Sequence, residues 1–131
     1  MNKFWQLSFS VAAIYAVGVV GMAAAISHYF LAHFAYAELS ALISSTAILA
    51  FHALGLLVLS WMGSQTAIDG WFLRLLKTAS CTMHLGLILF VYTVWAGLFD
   101  LPMHVKALAP VGGHLLLISW LLLAISPWFR K

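Results

Sequence analysis

Leu108-Ala-Pro-Val-Gly-Gly-His114-Leu-Leu-Leu-Ile-Ser-Trp-Leu-Leu-Leu-Ala-Ile-Ser-Pro-Trp128 is the stretch that decides the fold. It carries no formal charge apart from a proton on His114. About twenty such residues, rising about 1.5 Å each in a helix, cross the roughly 30 Å hydrocarbon layer of a bilayer. Pro110 suits a first helical turn, where its missing N–H would have had no partner. Gly112 and Gly113 leave the backbone bare just inside that start, where a second helix can come close. The segment reads as a membrane span with its own start signal, and it places the rest of the chain in lipid.

The whole composition agrees. Of 131 residues, 65% are hydrophobic and 7% charged, and the mean hydropathy is +1.07. Soluble domains are about 25% charged, and one this apolar would expose aggregating patches. The reading is an all-α integral membrane protein, a bundle of four transmembrane helices forming a single membrane domain. The net charge of +3 is dispersed along the chain, without the basic stripe a nucleic-acid surface needs. The lone cysteine, Cys81, sits in an apolar run and reads as a small buried packing residue.

Working outward, the expected spans are residues 7–29, 41–62, 78–99 and 108–128. The first is rich in small residues. Ala12 and Ala16, and again Gly21 and Ala25, are four apart, the spacing that lets helices pack closely in lipid. Its apolar run is longer than the core of a usual signal peptide, so it is expected to remain in the protein. His28 to Ser40 reads as a polar break, Gly63 to Gly70 as a loop, and Asp100 to Lys106 as a second outward loop containing Pro102. Lys3, Arg74, Lys77, Arg130 and Lys131 fall on one side of the four spans and only Lys106 on the other. Basic residues stay in the cytoplasm, so both termini are expected there. The tryptophans at 5, 61, 71 and 128 then read as an interfacial belt on the cytoplasmic side.

No sharp catalytic signature is present. There is no Gly-rich phosphate loop, no H-E-x-x-H, no paired cysteine and no nucleophile elbow. The three carboxylates lie in loops, and no charged pair lies within a span, which counts against ion-coupled transport. The six histidines are the unusual feature. His52 falls near the middle of the second span, where an unpartnered polar group is costly. It is expected neutral and hydrogen-bonded to another helix, through Ser45, Thr82 or Ser119. The functional alternative is a contact to haem b or a quinone, with His84 as the second histidine. His84 and His114 lie about a turn away from the midplane on opposite sides, so no pair is level.

On the outward rim, His28, His33, His104 and His114, with Met103, could hold copper or zinc. His28 and His33 are about 140° apart around a helix and cannot chelate from one helical face. No cofactor is therefore expected, with haem b or an outer copper or zinc ion as the alternatives.

Ala109-Pro-Val-Gly-Gly113 with Trp120, Phe51-His-Ala-Leu54, and the small-residue run Met22 to His28 are similar to motifs of the domain of unknown function 423 family of small bacterial inner-membrane proteins. Ile48 and Leu49 stand where that family usually has Tyr-Gln, and His84 and His114 lie outside its pattern. The resemblance implies four spans and a bacterial inner-membrane location, and it implies no reaction. The expectation is a multi-pass membrane protein without catalysis of its own. It would be an accessory subunit or a self-associating one, in contact with lipids and other membrane subunits. Gly21, Ala25, Gly112 and Gly113 are the candidate packing positions. The alternative is a haem- or metal-binding redox subunit.

Overall fold

The computed structural model describes residues 2–65, 70–102 and 105–130. These form four helices long and apolar enough to cross a membrane: α1 (Lys3–His33), α2 (Tyr36–Gly63), α3 (Gly70–Leu98) and α4 (Leu108–Phe129). No strand occurs among the described residues. An all-helical answer suits the medium the composition points to. In hydrocarbon each backbone N–H and C=O must be satisfied within the chain, and a helix does so one segment at a time.

The helices follow one another up and down. Each packs on its sequence neighbour, and the α3–α4 interface is the most extensive. Trp5 near the start of α1 meets Gly63 at the end of α2. Trp5 also clusters with Leu59, Phe72 and Leu76, and Arg130 lies over the Phe72 ring. Both termini therefore lie at one end of the bundle. Its centre is filled by Ala12, Leu49, Leu56, Met83, Leu87 and Leu116.

Two glycines set the α3–α4 crossing. A Cβ on Gly112 would lie 2.5 Å from the Phe90 nitrogen and 2.8 Å from the Gly86 carbonyl oxygen, and one on Gly86 would lie 2.9 Å from the Gly112 oxygen. Backbone touches backbone here, which any side chain would prevent. Gly113 and Gly21 have nothing within 4 Å of an added Cβ, so neither packs against another helix of this chain. Ala12 is fully buried against the core, whereas Ala25, further along α1, is only half-buried.

The helices are longer than the expected spans. The polar run after His28 continues α1 through a π-turn at Ile26–Phe30 and ends at His33. The imidazole of His33 donates from Nδ1 to the Tyr29 carbonyl at 2.7 Å and stacks on the Tyr29 ring at 4.2 Å. Phe30 and Phe34 meet Phe99, just past the end of α3. Aromatic packing thus holds helix where polarity suggested a break. The break is confined to Phe34 and Ala35, both extended, and Glu38 accepts the Ala35 N–H at 2.9 Å to begin α2. Directly after Phe99, Asp100 turns the chain with a positive φ of 49°, a conformation Asp tolerates better than most residues. Tyr92 then donates to the Pro102 carbonyl at 2.6 Å.

One member of the tryptophan belt is corrected. Trp5 is 1% exposed, because the side-chain-free surface of Gly63 gives its ring a seat between α1 and α2. Trp61, Trp71 and Trp128 are exposed, as a belt requires.

Candidate functional site

Two groups of polar side chains inside the bundle are built around a histidine. The larger cluster lies between α1, α2 and α3. Ser8 and Tyr15 are seven apart on α1, and Ser80 and His84 are four apart on α3; either spacing keeps two residues on one helical face. Ser60 of α2 completes the set. Ser60 donates to Ser8 Oγ at 2.8 Å, and Ser8 Oγ lies 3.0 Å from both Ser80 Oγ and His84 Nε2. His84 Nδ1 lies 3.3 Å from the Tyr15 hydroxyl.

A hydroxyl has one proton to give and two lone pairs. With three partners Ser8 is saturated, so for a neutral imidazole only two proton arrangements are consistent. Ser8 can donate to His84 Nε2 and accept from Ser60 and Ser80, and His84 Nδ1–H then donates to Tyr15. In the other, His84 Nε2–H donates to Ser8, Ser8 donates to Ser80, and Tyr15 donates to Nδ1. Either way the network joins three helices. No carboxylate belongs to it, so it has no strong acid or base to drive net proton transfer. Its members Ser8, Tyr15 and His84 line a cleft of about 380 Å³ between α1 and α3, together with Ile88 and Cys81, which is exposed there rather than buried as its apolar run suggested.

The second group centres on His52. The residue is 7% exposed. Nδ1 lies 2.8 Å from the Ile48 carbonyl oxygen, and since a carbonyl only accepts, Nδ1 carries the proton. Nε2 then holds a lone pair, and Trp120 Nε1–H of α4 donates to it at 3.0 Å. The partner is thus on another helix, as expected, but it is none of the three residues named from the sequence. Ser45 donates to the Leu42 carbonyl and accepts from Trp95 at 3.0 Å. Thr82 and Ser119 turn back to carbonyls of their own helices. A hydroxyl can always reach its own helix; an indole N–H is too stiff to do so and must find a neighbour. Among the described residues no buried side-chain nitrogen or oxygen lacks a partner.

For the haem alternative, the nitrogens that would meet iron are Nε2 or Nδ1 of His52 and His84. Each of the four already has a protein partner. The outward histidines are dispersed. His28 is exposed within the π-turn, His33 bonds to Tyr29, and His114 donates to the Pro110 carbonyl at 2.7 Å. Among the described residues no three His, Cys, Asp or Glu side chains gather as a metal site. His104 and Met103 lie outside the described residues.

Ser8, Ser60, Ser80 and Tyr15 were not singled out from the sequence. The Ser80–His84 and Ser8–Tyr15 spacings were a usable signal, since polar residues sharing one face of an apolar helix imply a polar partner. Which helix supplies that partner is not legible in such spacing. A scan against protein-family models finds no match to this chain, and searches of curated proteins and of solved structures find none either.

Proposed function

We propose that this protein is a non-catalytic membrane subunit that assembles through the outward face of α1. The observation that carries the reading is how little of α1 its own chain covers. In the most apolar 18 residues of each helix, 6% are buried in α1 against 44% in α2. Ile14, Gly18, Gly21 and Ala25 follow one another at helical spacing, and Val17 beside them is 72% exposed. Large side chains thus alternate with bare backbone, the pattern of knobs and recesses by which helices associate in lipid. A second copy or another membrane subunit would fit it equally in chemical terms, and self-association is the simpler proposal.

The proposal extends to setting. The five-to-one basic split supports cytoplasmic termini, and the resemblance to the domain of unknown function 423 family supports a bacterial inner membrane. The redox alternative gains no support from geometry in which every nitrogen of His52 and His84 is engaged.

Disulfide trapping in native membranes tests the assembly. Cys81 is first replaced by serine, then a cysteine is placed at Val17, Gly21 or, as control, Leu121 of α4, which is 65% exposed. Oxidation should yield dimer from the α1 positions and little from Leu121. Equal dimer from all three, or none from α1, refutes association through this face.

A further inference from the structure

A groove of about 550 Å³ runs along the opposite side of the bundle, between α2 and α4, with the start of α3 at one end. Phe51, Leu54, Val58 and Met62 form one wall at helical spacing, and Trp120 and Leu123 face them from α4. Gly55 lies in the lining between them, and the Trp120 ring is 3.5 Å from where a Cβ on it would be, an ordinary contact distance. From Phe51 to Met62 the wall is about 16 Å long, close to one leaflet of a roughly 30 Å hydrocarbon layer.

The ends of the groove differ in kind. The deep end, near mid-bundle, is closed by Phe51 and by Trp120, whose N–H is turned away to His52. The other end opens where the chain termini lie, and Arg130 lines it. A short 3-10 turn, Ser126–Phe129 with Pro127 in its first turn, brings Arg130 there, and the guanidinium carbon sits 6.0 Å above the Phe72 ring. The described carboxylates, Glu38 at the start of α2 and Asp100 just past the end of α3, are at the opposite end of the bundle. The α1–α3 cleft, by contrast, has no charged side chain in its lining.

An apolar trough one leaflet deep, ending in a guanidinium, matches an anionic amphiphile in length and in charge. We infer that this groove binds one anionic diacyl phospholipid, with a chain along the Leu54–Val58–Trp120 trough and the headgroup phosphate at Arg130. Arginine suits the role because its planar fork can meet two phosphate oxygens at once. The site is separate from the α1 face proposed for assembly and stands or falls without it.

The test is native mass spectrometry of the full chain in detergent, titrated with dioleoyl phosphatidylglycerol or dioleoyl phosphatidylcholine. The parent should retain one phosphatidylglycerol with about fivefold preference over phosphatidylcholine, the amount one basic side chain near a membrane surface supplies. Arg130→Gln should abolish that preference and leave some binding of both lipids. Val58→Trp, which fills the trough from a position 57% exposed, should weaken both lipids, and so should Leu54→Trp at 63% exposed. Val17→Trp, on the α1 face, should bind like the parent. Inorganic phosphate at millimolar concentration should not displace the lipid. The proposal is overturned by equal binding of the two lipids to the parent, by a preference that survives Arg130→Gln, or by parent-like binding in both groove-filling variants. Displacement by phosphate alone overturns it too. So does a dimer lost in Val58→Trp with no lipid adduct in the parent, which would make the occupant a second copy.

Discussion

Ser8→Ala is the most informative single change in this protein. The Ser8 hydroxyl holds three side chains on two other helices, at 2.8 Å to Ser60, 3.0 Å to Ser80 and 3.0 Å to His84. Side-chain hydrogen bonds between helices in membranes average about 0.6 kcal/mol, with a maximum of about 1.7. Three average bonds sum to about 1.8 kcal/mol. The loss is offset in part, because Ser60 and Ser80 can turn their hydroxyls to carbonyls of their own helices. His84 Nε2 has no such recourse and is left without its partner. The expected destabilisation is therefore about 1–2 kcal/mol, with the fold kept.

Reversible unfolding in mixed detergent micelles, followed by helical circular dichroism, measures this. Thr82→Ala is the control, since that hydroxyl bonds only to Thr78 and Ala79 of its own helix and its loss should cost less than about 0.5 kcal/mol. A double-mutant cycle of Ser8→Ala with His84→Leu should show coupling of at least about 0.5 kcal/mol. If Ser8→Ala matches Thr82→Ala and the cycle is additive, the network does not join the helices and the reasoning from its geometry fails.

His52→Leu leaves the Trp120 N–H without an acceptor and should cost about 0.6–1.7 kcal/mol; Trp120→Phe should cost a similar amount, and the two together little more than either, read from the same unfolding curves. Gly112→Ala should destabilise by about 1–3 kcal/mol, because its Cβ has no room against Phe90 and Gly86, while Gly113→Ala should be close to neutral in the monomer. For topology, single cysteines at Asn2 and Val105, in a protein with Cys81 replaced by serine, should label from opposite sides of sealed vesicles with an impermeant maleimide. Labelling of Asn2 from the side opposite the cytoplasm would reverse the proposed orientation.

The four helices were legible in the sequence because they are a property of the solvent. A run of about twenty uncharged residues has to be helical in hydrocarbon, whatever its neighbours are. The value of glycine at the head of α4 was legible for a similarly local reason. Which glycine does the packing was not: Gly112 faces α3 and Gly113 does not, and a rotation of about 100° separates them. Polar side chains divided along the same line. That His52 needed a partner followed from its depth alone, as a matter of desolvation. That the partner is Trp120 on α4 depends on how α2 and α4 are set against each other across the groove, and no spacing within one helix encodes that. The Ser8 network is the clearest instance, since its members are 52 and 72 residues apart in the chain. The sequence alone determined where the chain is apolar and therefore which segments are helices. The tertiary structure decided which faces meet, because each apolar helix of this chain offers little contrast between its sides, and close fit between particular residues sets their rotation and register.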